Sequence, residues 1–120
     1  MELTTYGANA LLDGTALPAT LYAQLHTAEP GDLGGDDISA LCADRESFTR
    51  TTAAAKVADN VLEILWTADA GTSEIAIAVS IHDAATVGNC WMVGDLLEAV
   101  AVDGGQEYRF DVGALIMAVS

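Results

Sequence analysis

The chain has 120 residues, 52% of them hydrophobic, and a net charge of −14 from 18 acidic residues against four basic ones. That length allows one small domain, and the apolar content is enough for a packed core and too high for a disordered chain. Arg45, Arg50, Lys56 and Arg109 are too few and too scattered to follow a phosphate backbone, which argues against direct nucleic-acid binding and against docking on an anionic membrane.

Taken in chain order, the first dozen residues read as a short helix. Thr4 or Thr5 can cap it, Ala8, Ala10, Leu11 and Leu12 favour it, and Asp13-Gly14 ends it. Leu3, Gly7, Ala10 and Leu11 fall on one side, so the helix is expected to lie against a sheet. The opening residues lack the basic-then-apolar order of a signal peptide, and no apolar run reaches the roughly 18 residues of a membrane span.

After Pro18 the period changes to two. Leu21, Ala23 and Leu25 alternate with Tyr22, Gln24 and His26, the pattern of a half-buried strand. The stretch from 28 to 37, "AEPGDLGGDD", is an acidic loop too polar to bury. "SFTR" starts a further strand, and "NVLEILWTA" places Leu62, Ile64 and Trp66 on one face. Ala70 to Ser73 turn the chain, and Ile75, Ile77, Val79 and Ile81 then alternate with Ala76, Ala78, Ser80 and His82 in the cleanest strand of the sequence. "CWMVGDL" returns, "LEAVAV" continues it, and Asp103-Gly104-Gly105-Gln106 is a hairpin turn. Tyr108, Phe110 and Val112 alternate beyond it, and "ALIMAVS" closes the chain as an apolar strand. The expected fold is mainly β: a single β-sandwich domain over 1–120, of about seven or eight short antiparallel strands, with one N-terminal arm and helix over 1–14.

The rare residues with chemical potential lie mostly in "SIHDAATVGNCWMVGDL". Adjacent strand residues point to opposite faces, so His82 and Asp83 are not placed to act as a pair. Asp followed by small residues and Gly-Asn is what a turn needs. Cys90 has no basic neighbour in sequence to lower its pKa and reads as a buried thiol, and His26 reads as a strand-end residue bonding loop backbone. Cys42 and Cys90 lie 48 positions apart, with no CxxC or HxxxH spacing for zinc and no D-x-D-x-D-G loop for calcium. No catalytic, cofactor-binding or metal-ligating residue is assigned, and no cofactor is expected. An exposed aromatic platform for carbohydrate would need Trp66, Trp91, Tyr22 and Tyr108 at the surface, whereas strand phase turns Trp66 and Tyr108 inward.

Four stretches together, "LTTYGANALLDGTALPATLYAQLHTAEPG", "SFTR", "IHDAATVGN" and "DGGQEYRFDVGAL", resemble a family of small virion proteins of tailed phages, particularly those of actinobacteria. The order matches along nearly the whole chain. Two departures stand out: Val87 occupies the position of the family turn's first glycine, and "GDLGGDD" and "LLEAVAV" are more acidic or more aliphatic than the pattern. The resemblance implies a non-enzymatic β-sandwich structural protein of the virion, made in the host cytoplasm. The expectation drawn from it is a decoration or minor capsid protein on the outer capsid surface, with the major capsid protein, other copies of itself or other virion proteins as partners. A minor tail or tail-fibre-associated protein is the alternative. The expected partner contacts are Met1, Glu2, Leu3 and Tyr6 of the arm and Asp32, Leu33, Asp36 and Asp37 of the acidic loop.

Overall fold

A computed structural model describes residues 1–31, 45–54, 57–68 and 73–118. Asp32, Leu33, Asp36, Asp37, Cys42, Lys56 and residues 70–72 of the expected turn therefore lie outside the described residues, and so does most of the acidic loop.

The elements are β1 (Glu2–Leu3), α1 (Thr5–Leu12), β2 (Thr20–His26), β3 (Glu46–Thr49), β4 (Val57–Ala58), β5 (Ile64–Thr67), β6 (Ser73–His82), β7 (Cys90–Asp103), β8 (Glu107–Phe110) and β9 (Met117–Ala118). The fold is mainly β and antiparallel, with one short helix, as the alternation in the sequence predicts. Among the described residues it has nine strands; β1 and β4, two residues each, are too short to leave a sequence signature, while β9 falls within the expected closing strand. One sheet runs in the order β1-β7-β6-β2-β3, and two ribbons, β4-β9 and β5-β8, complete the structure. Ile64 and Trp66 from β5, Val79 and Ile81 from β6, Met92 from β7, and Leu115 and Met117 near the C-terminus share one hydrophobic cluster. Each such fully buried aliphatic or aromatic side chain contributes about 1.5–3 kcal/mol through water removal.

Thr4 caps α1: its hydroxyl accepts from Gly7 N–H at 3.1 Å and itself donates to the Cys90 carbonyl. Asp13 closes the helix. Gly7 and Ala10 are buried as expected, but Leu11 sits at the margin of exposure because the contact stripe is narrower than the sequence suggests. A Cβ on Gly7 would collide with the Trp91 carbonyl oxygen, so only glycine lets the helix approach β7 this closely.

Three strand-level expectations need correction. β2 is not half-buried: Gln24 and His26 are buried along with Leu21, Ala23 and Leu25, because polar partners on β6 and Arg45 satisfy the second face. Leu62 and Val112 do not share the inward faces assigned to them. Each stands outside its strand and is exposed, since β5 starts at Ile64 and β8 ends at Phe110. Finally, Asp103 to Gln106 form the turn, with Gln106 N–H donating to the Asp103 carbonyl at 2.9 Å, but the turn does not close a hairpin. β8 leaves β7 and pairs with β5, Trp66 opposite Tyr108 and Ile64 opposite Phe110. The turn is a corner between sheets.

Candidate functional site

The chemistry-bearing residues gather where β2 and β6 pair. Gln24 lies opposite Ser80, so His26 and His82, each two residues from that pair, share its face. Ser80 Oγ stands 2.6 Å from His26 Nε2 and 2.7 Å from His82 Nε2. A hydroxyl has one proton to give. It donates to one imidazole and accepts from the other, so one Nε2 is bare and the other carries a proton. Burial, then the charges of Arg45 and His26, push the His82 pKa down to about 4, against the pull of Asp83. At neutral pH His82 is therefore uncharged.

Sequence reading weighed His82 and His26 separately and missed Ser80. The missing signal was register: only the pairing of two strands 54 residues apart brings the three together. The arrangement resembles a nucleophile between two bases, but Ser80 and His26 have no exposed surface and His82 is 2% exposed. A nucleophile that no substrate can touch does not turn over, and this cluster therefore reads as a satisfied buried network.

Asp83 acts elsewhere, as turn chemistry predicts. Burial opposes its ionisation, but the backbone and side-chain N–H groups of Asn89 and the Trp91 indole hold its carboxyl below the usual range. The turn's left-handed residues are Val87 and Gly88, not Gly88 and Asn89. Trp91 is the extra residue of a β-bulge, since Ile81 faces Met92 while His82 faces Cys90. Its ring meets Tyr6 edge-on at 5.4 Å. Cys90 is a buried thiol that donates to the Met92 carbonyl at 3.5 Å.

Of the expected arm contacts, Glu2 and Leu3 form β1 and pair with Val93 and Met92, Met1 packs on the core, and Tyr6 is exposed at its outer edge. The arm is built into the sheet. Trp66 and Trp91 are each 1% exposed, which removes the two largest rings from any aromatic platform.

The surface carries one further feature. A groove of about 620 Å³ opens between β7 and β8, walled by Leu96, Leu97, Val100, Tyr108, Phe110 and Ile116. Tyr108 and Phe110 stack edge-on at 5.7 Å along it, and burial raises the Tyr108 pKa. Among the described residues no cluster of His, Cys, Asp or Glu could hold a metal ion, and no helix is long and apolar enough to cross a membrane.

A family model described as podophage GP4 fiber I protein gp80 matches residues 2–118, from β1 to β9. The chain belongs to that family. It is thus a phage virion protein of a structural, fibre-type family, and the coarser part of the sequence resemblance holds. No curated protein matches the chain.

Proposed function

We propose that the chain is a non-enzymatic assembly module of a phage fibre, attached to the tail and not to the capsid lattice. The observation that carries this reading is the match to a fibre protein family over nearly the entire fold, which favours the fibre alternative over capsid decoration. The structure supports it in kind. The polar network is sealed, while exposed apolar side chains such as Leu97, Leu12 and Leu62 remain on the surface of a small acidic chain. Such surface apolar groups suit a protein whose work is contact with neighbours.

Immunogold labelling of intact virions, or density assigned in a virion reconstruction, tests the proposal. Label or density on fibres at the tail is the expected result. Regular density over the capsid lattice would overturn it in favour of decoration.

A further inference from the structure

Among the described residues the outer edge of β7 is open beyond Gly94. β1 covers it only at Met92 and Val93, and Met1 packs on Gly94, so among the described residues no strand pairs with that edge beyond Gly94. On its other edge β7 pairs with β6, but the register jumps: Ala78 faces Asp95 and Ala76 faces Val100. Leu96 to Ala99 thus have no register partner on β6, where only Ile77 lies across from all four, and Leu97 projects fully into solvent. Natural proteins blunt an open edge with charge, proline or a bulge that turns it away. Here the edge has a bulge and the charges of Asp95 and Glu98, but it also carries two leucines beside an apolar groove.

We propose that the β7 edge from Asp95 to Ala101, with its groove, takes up an extended segment of another virion protein as an added strand. Its apolar side chains enter the groove, and its Lys or Arg residues meet the rim. This deepens the assembly-module reading and rests on it. In strand addition, main-chain hydrogen bonds give affinity and pockets for alternate side chains give specificity. Both parts stand side by side here.

Charge decides the occupant. Asp95 and Glu98 line the groove. Glu29 sits beside Asp95, and that contact, then burial and the Asp95 charge, raises its pKa. Two carboxyls crowded together at a groove mouth favour a cation. Among the described residues, a second copy of this chain is poorly supplied with one. Arg45 is bonded to Gln24 and to the carbonyls of Ala84 and Val87, Arg50 to those of Leu17, Pro18 and Thr51, and Arg109 lies beside Glu63 and Glu107. At −14 per chain, two copies would set acidic rim against acidic rim.

The test uses the full chain and two synthetic octapeptides. One alternates lysine and valine; the other has the same charge with proline at its two central positions, so it cannot pair. The lysine–valine peptide is expected to bind at least tenfold more tightly by calorimetry at about 0.15 M salt, where exposed charge is screened beyond ~8 Å. It should also slow amide exchange of Asp95 to Ala101 at least tenfold. Leu97→Asp, at an exposed site where folding can be confirmed by circular dichroism, should weaken binding at least tenfold. Asp95→Asn with Glu98→Gln should weaken it severalfold. Equal binding of the two peptides, no protection at that edge, or no loss in Leu97→Asp would overturn the proposal. So would a dimer in sedimentation that Leu97→Asp disperses, since a second copy would then hold the edge. A failed peptide test with label still on the fibre removes only this docking site, whereas a virion without fibre label removes the reading beneath it.

Discussion

Arg45 donates from Nη1 to the Val87 carbonyl at 2.8 Å, bracing from 42 residues away the described non-glycine residue with a left-handed φ of 57°. The same guanidinium holds the Ala84 carbonyl at 2.9 Å, so one side chain clamps both ends of the turn between β6 and β7. A β-branched residue in that region of backbone space is strained, and Val87 is 84% exposed, so burial does not compensate.

Val87→Gly is therefore expected to stabilise the protein. Relief of the left-handed conformation is worth roughly 1–2 kcal/mol, partly offset by the freer unfolded chain, for a net gain of about 1 kcal/mol. In thermal unfolding this reads as a rise of roughly 4 °C. An unchanged or lowered midpoint would show that the turn carries no strain.

Gly7→Ala separates two views of the helix. On an exposed helix the change would add stability by about 1 kcal/mol through propensity. Here the new methyl meets the Trp91 carbonyl oxygen, a backbone atom that cannot swing away. The expected outcome is a loss of about 2–3 kcal/mol in urea unfolding, with the helix displaced from β7.

The buried histidine network predicts a pH dependence with a definite sign. His82 titrates near 4 in the folded protein and near its ordinary value of 6.5 when unfolded. The unfolded chain thus binds more protons between these values. Stability from this group is complete above about pH 6.5 and declines as pH falls toward 4, by about 2 kcal/mol between pH 7 and 5. Carboxylates respond over part of the same range, so the reading is the difference in unfolding free energy between the wild type and His82→Gln. The wild type should lose about 2 kcal/mol more; parallel pH profiles would show that His82 is not held neutral.

Asn60 is a structural latch that the sequence did not announce. It is fully buried, its Nδ2 donates to the carbonyls of Leu62 and Asp111, and its Oδ1 accepts from Leu115 N–H. It joins the entry to β5 with the chain leading to β9. Asn60→Ala would orphan the buried Leu115 N–H and the part-buried carbonyls of Leu62 and Asp111, and a loss of about 3 kcal/mol is expected in denaturant unfolding at pH 7. A loss under ~1 kcal/mol would mean the two segments hold without it.

How far the sequence could be read depended on the range of the interactions. The Thr4 cap, the Asp83 turn and the phase of β2 were legible because each rests on residues a few positions apart. The Ser80 network was not, since His26 is 54 residues from Ser80 and nothing local distinguishes a serine that will sit between two imidazoles. Leu62 and Val112 misled for the opposite reason: their alternation continued past the point where pairing stopped. The groove was invisible for the same cause as the corner at Gly105, whose local turn chemistry suited a hairpin that β8 does not form.

By itself, then, the sequence determined a small acidic mainly β chain with one capped helix, and through its ordered motifs a phage virion kinship, because period, capping and turn chemistry act within a few residues. Only the tertiary structure decided which strands meet. That choice sealed Ser80 and both histidines in the interior, built the arm into the sheet and, among the described residues, left the β7 edge beyond Gly94 without a partner strand beside an apolar groove. Register is a long-range property. Burial and exposed surface follow from it, and with them the difference between a residue that could react and one that holds the fold.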